Sequence, residues 1–135
     1  MTKIISSFIT IFLISNAIAQ NVAPVLQATG NQVYCPQTSL PIVTNMSITD
    51  TDDVGIAAMY IQISSGYVFG QDVLTLTGIH PTITSSWNAT EGKLTLSGIS
   101  GDPTYLQFKA AIESVVFTNS AINPSGQRIF SITVG

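Results

Sequence analysis

The sequence predicts an all-β fold, a single Greek-key β-sandwich carrying one short helix. Three observations lead there. Short β-favouring runs with alternating apolar residues recur from residue 41 to the end, separated by turn-forming residues. One stretch, 101–117, abandons that alternation for a helical spacing. About seven strands at this spacing suit two packed antiparallel sheets, and 135 residues is the length of one domain.

The chain opens MTKIISSFITIFLISNAIAQ. Lys3 supplies a short positive region, Ile4 to Ile14 is mostly apolar, and Ala17-Ile18-Ala19 has the A-x-A form of a cleavage site. Residues 1–19 therefore read as a secretory signal. The apolar run is short for a membrane span, which needs ~20 residues. Cleavage after Ala19 leaves 20–135 as the folded module.

Residues 21–40 are turn-rich, with Pro24, Gly30 and Pro36, and read as an opening strand and a loop. PIVTNMSI (41–48) reads as one strand. In IAAMYIQI (56–63), Met59, Ile61 and Ile63 share one face opposite Ala58, Tyr60 and Gln62. DVLTLTG (72–78) turns Leu74 and Leu76 inward, and GKLTLSG (92–98) does the same with Leu94 and Leu96. In 101–117, Asp102 is placed to cap a helix with Pro103 at its first position. Tyr105, Phe108 and Ile112 then form a helical face, and Val115-Val116 return the chain to strand. RIFSITV (128–134) closes the fold with Phe130, Ile132 and Val134 on the core side. Leu94, Leu96, Phe117, Phe130 and Ile132 are the expected buried set, with Phe108 over them. The alternation runs to Val134 without a polar tail, so the chain is expected to be the front of a longer protein.

Composition excludes several functions. Without Lys3 the cations are Lys93, Lys109 and Arg128 against seven acidic residues. Nucleic acid is excluded as a partner because phosphate binding needs clustered Lys or Arg. A basic membrane-binding face is missing too. His80 is the only histidine and precedes Pro81, as at a loop corner. Cys35 is the only cysteine, so its thiol is either free or bonded to another segment of a longer chain. Zinc spacings and phosphate-binding glycine loops do not occur. Catalysis needs a nucleophile, a base and an orienting group, and the sequence assembles none, so the chain does not read as an enzyme.

Two places remain as candidate sites. ITDTDD (48–53) gathers Asp50, Asp52 and Asp53. Asp50 and Asp52 are two apart, so on an extended chain both point to one face. Calcium takes six to eight oxygens and suits such a loop. A solvated turn suits it equally, because Asp side chains bond neighbouring backbone N–H groups. No acid stands at EF-hand spacing, so further ligands would have to come from Asp72, Asp102 or a neighbouring domain. Trp87, in the polar stretch TSSWNATEG (84–92), is the second place. It reads as a packing anchor, or as a sugar-stacking platform with Tyr60 and Tyr67 in a carbohydrate-binding module. Asn45-Met46-Ser47 and Asn88-Ala89-Thr90 match the N-glycosylation pattern.

ITDTDD, GKLTLSGISGDPTYLQFKAAIESVVFTN and SGQRIFSITV occur in that order. The series resembles the cadherin-like, Ig-type repeats of large bacterial surface proteins and adhesins, over about two-thirds of the chain. With the leader and NVAPVLQATGNQVYCPQ, the chain is similar to the first module of gliding-motility-associated proteins exported by the type IX pathway. The linker pattern between successive cadherin repeats is not present. The resemblance implies an extracellular adhesive or spacer module. Its partners would be other domains of the same long chain, surface glycans or other cells. It adds to the calcium reading of Asp50, Asp52 and Asp53, while the missing linker pattern counts against calcium between domains, and it supplies no catalytic residue.

Overall fold

Alternating apolar residues build two facing layers in the computed structural model, which describes residues 20–135. The signal expected over residues 1–19 lies outside the described residues. In chain order the elements are β1 (Val25–Thr29), β2 (Leu40–Pro41), β3 (Asn45–Thr49), β4 (Ala58–Ser65), β5 (Asp72–Leu76), β6 (Ile83–Asn88) and β7 (Lys93–Gly98). They continue with α1 (Tyr105–Glu113), β8 (Val115–Asn119) and β9 (Ile129–Val134). One sheet is ordered β6-β7-β4-β9 and another β2-β8-β5, while β1 and β3 form a two-stranded ribbon. Every pairing between named strands is antiparallel. The chain crosses between sheets after β4, β5, β7 and β8, as a Greek-key sandwich requires. The fold is the expected all-β sandwich with one short helix.

The core follows from the register. Met59 faces Leu96 and Ile61 faces Leu94 across β4 and β7, and all four are buried. Leu74, Val115 and Phe117 meet them from the opposing sheet, Met46 from β3, and Phe108 and Ile112 from α1. The helix packs against β3 and β6. Its buried residues are Tyr105, Phe108, Ala111 and Ile112, the face that the spacing predicts.

Several details differ from the expectation. The helix is capped by Thr104, not Asp102. The Thr104 side chain accepts from the Gln107 N–H at 3.2 Å, and Gln107 Oε1 accepts from the Thr104 N–H at 2.8 Å. This reciprocal box satisfies two otherwise unpaired donors. The single strand expected over 41–48 is broken between β2 and β3. The Ile42 N–H donates to the Val115 carbonyl and the Thr44 N–H to the Thr29 carbonyl, so the chain changes partner within three residues. TSSWNATEG holds an unexpected strand, β6, which forms a hairpin with β7. The two LTL segments lie in opposite sheets, β5 in one and β7 in the other.

Phe130 and Ile132 were expected to be buried with Leu94, Leu96 and Phe117, and they are only half-buried. β9 is the outer strand of its sheet, so no strand among the described residues pairs along their second flank. Leu76, at the end of β5, is half-buried for a similar reason.

Candidate functional site

The acidic loop follows β3 and is organised by its first residue. Asp50 Oδ1 accepts from the Asp52 N–H at 3.1 Å and the Asp53 N–H at 3.3 Å, the local turn that Asp favours. Asp50 Oδ2 accepts from the Tyr105 hydroxyl at 2.9 Å, which ties the loop to the first residue of α1. Asp52 Oδ2 accepts from the Val22 N–H at 2.9 Å, which ties it to the N-terminal segment. The Tyr105 N–H donates to the Val54 carbonyl and the Ile56 N–H to the Pro103 carbonyl. Loop, helix start and N-terminal segment thus form one joint.

The electrostatics follow from those bonds. The Asp52 N–H, with Tyr105 and the Asp53 N–H assisting, holds the Asp50 carboxyl down at about 2. Burial, then the bond to Asp50 and the charges of Asp53 and Asp52, push the Tyr105 hydroxyl up to about 12. One carboxylate oxygen from each of Asp50, Asp52 and Asp53 lies within 4.8 Å of the others. Among the described residues this is the only such convergence of three or more acidic, histidine or cysteine groups. Three carboxylates on one open face can hold a hard cation if water or another domain completes the shell. Neither reserve ligand joins them, because Asp72 is buried in a cluster of its own and Asp102 is not in the group.

That second cluster was not foreseen. Asp72 is 1% exposed. Its Oδ2 accepts from Arg128 Nε at 2.7 Å and the Val68 N–H at 2.7 Å, while Oδ1 accepts from Arg128 Nη2 at 3.3 Å and from Asn119 Nδ2. Arg128 Nη1 donates to the Ser125 carbonyl, and Asn119 Oδ1 accepts from the Ala121 N–H. The Asn119 N–H donates to the Tyr34 hydroxyl at 3.1 Å. The ion pair joins β5 in one sheet to the approach to β9 in the other. The available signal was an Asp opening a strand and a lone Arg opening the last one, 56 residues apart.

Beside this cluster lies a groove of about 540 Å³ whose lining includes Leu40 and Phe117 of one sheet, Phe130 and Ile132 of the other, and Tyr34 and Val43. Phe117 contacts Tyr34 edge-on at 5.2 Å and Phe130 edge-on at 5.6 Å.

Trp87 stands on the inward row of β6 with Ile83, opposite buried Leu94. It is half-buried against the core and meets Tyr67 edge-on at 6.2 Å. The Tyr67 ring lies over Gly92, where an added Cβ would come within 2.9 Å of it and where φ is +62°. The Tyr67 hydroxyl donates to the Ala89 carbonyl. Trp87 is thus wedged at the β6–β7 hairpin, the position of a packing anchor. Tyr60 stands on the opposite, outer face with Lys93 Nζ 5.8 Å from its ring centre. Cys35 is a free, exposed thiol, and His80 Nε2 lies 3.0 Å from the Thr77 carbonyl. Among the described residues no helix is long and apolar enough to cross a membrane.

No family model, no curated protein and no solved structure matches the chain.

Proposed function

We propose that this chain is a non-catalytic structural and adhesive module of a secreted bacterial cell-surface protein, of the kind exported by the type IX pathway. Its partners are other domains of the same long chain, surface glycans or other cells. The observation that carries the reading is where the polar side chains go. Asp50, Asp52, Asp72, Arg128 and Asn119 each hold one element against another. A reactive group must instead be left free to meet a substrate. The leader over residues 1–19 supports export. Calcium at Asp50, Asp52 and Asp53 belongs to the same reading, as a cation that stiffens an extracellular module.

Export and attachment test it. The chain produced in an exporting bacterium should be recovered outside the cytoplasm with Gln20 as its first residue. Cells that display it should adhere to surfaces more strongly than cells that display an unrelated sandwich. Retention of residues 1–19 in the cytoplasm, or no gain in adhesion, overturns the proposal.

A further inference from the structure

The outer edge of β9 has a row of backbone groups with no partner among the described residues. β9 pairs with β4 alone. In an antiparallel ladder, residues that bond to the neighbour alternate with residues whose N–H and C=O point away. The Gly135 N–H donates to the Ala58 carbonyl at 3.1 Å, which sets the phase. Thr133 and Ser131 therefore bond to β4, opposite Tyr60 and Gln62. Phe130, Ile132 and Val134 turn their N–H and C=O groups to the open side. The far flank of β4 agrees, since Ile63 donates away from β9 to the Gly92 carbonyl at 2.9 Å.

Soluble proteins guard such edges with charges, prolines or bulges. Ile129–Val134 contains no charge and no proline. The register shift against β4 lies at the Ile129 end, between Ile63 and Ser65, and leaves Phe130–Val134 regular. Arg128, the one charge next to the edge, is drawn inward to Asp72.

We propose that a second copy of this chain docks on this edge, β9 against β9, about a two-fold axis at Ile132. The open groups at 130, 132 and 134 are symmetric about 132. An antiparallel copy then sets Ile132 opposite its own equivalent and Phe130 opposite Val134, matching open donors to open acceptors along the row. A two-fold axis brings identical side chains together, so a charged strand would repel itself, and this strand carries no charge. That neutrality is what favours a second copy. The inner-face side chains of the incoming strand lie along the groove beside Phe117, Phe130 and Ile132. On the outer face Ser131 meets Thr133 of the other copy. The two four-stranded sheets become one. The inference does not depend on the adhesive reading.

Sedimentation equilibrium from micromolar to millimolar protein tests it, and the unsubstituted chain should reach the mass of two chains. Ser131→Lys/Thr133→Lys sets lysine against lysine twice and should halve that mass. Ser131→Lys/Thr133→Glu sets lysine against glutamate in the same register and should restore it. Circular dichroism establishes that each variant is folded. Without any substitution, amide exchange at Phe130, Ile132 and Val134 should slow as concentration rises. A single-chain mass throughout, a Lys/Lys variant that stays paired, a folded Lys/Glu variant that stays single, or concentration-independent exchange at those amides overturns the proposal.

Discussion

Burying the Asp72 carboxylate strips its water, and four hydrogen bonds replace it, two of them from Arg128. Such a pair adds little net stability, but removing one partner leaves an uncompensated charge in the interior. Arg128→Met should therefore cost ~3–5 kcal/mol in urea denaturation. Asp72→Leu/Arg128→Met should cost clearly less than that single change, because no charge is then stranded. Asp50 makes a different prediction. Its carboxyl is held at about 2 against the ordinary 3.8, so the folded state favours the charged form. That stability is fully present above the ordinary value and is lost as pH falls through about 4 towards 2. Thermal melts across that window should show a step that Asp50→Asn removes. Tyr105 runs the other way. Its hydroxyl is raised, so its contribution holds below pH 10 and fades as pH climbs towards 12.

Among the elements, α1 carries the sharpest local test. Thr104 and Gln107 make the reciprocal cap, so Thr104→Ala should cost about 1 kcal/mol and Asp102→Ala close to nothing. The reverse ranking in chemical denaturation would return the cap to Asp102. The strands divide by neighbours. Phe108, fully buried, should cost ~3–5 kcal/mol when cut to Ala, and Phe130, open on one flank, distinctly less. The same division explains what the sequence revealed. Alternation identified the core faces of β4, β7 and β9, because period two is a property of the strand alone. It could not tell how many neighbours a strand has, so half-burial of Phe130 and Ile132 was illegible. β6 stayed hidden because Ile83 and Trp87 are its only apolar residues and its pairing with β7 makes it a strand. The break between β2 and β3 comes from a change of partner, which residues 41–48 do not record.

At the scale of the molecule the acidic loop is a junction. Its clustering was legible, since three of seven acids fall within four positions. Its tie to Tyr105, 55 residues on, and to Val22, 30 residues back, was not, because both come from the packing of α1 and the N-terminal segment against β3. A cation at this junction would brace three segments together, so its effect should appear in the unfolding of the whole domain and not in one loop. Extracellular modules hold calcium at about millimolar affinity. At about ten times the dissociation constant, binding adds about 1.4 kcal/mol by mass action. For a domain of this size that corresponds to a rise of roughly 5 °C in the melting midpoint. The expected outcome is that rise in calcium over chelator, with Asp50→Asn/Asp52→Asn melting alike in both. In the variant each carboxylate becomes an amide with one neutral acceptor oxygen, which weakens the bonds from the Tyr105 hydroxyl and the Val22 N–H, so its midpoint in chelator should lie below that of the unsubstituted chain. Equal midpoints for the unsubstituted chain in calcium and chelator, together with that lower variant midpoint, would make Asp50, Asp52 and Asp53 a hydrogen-bonded joint with no cation in it.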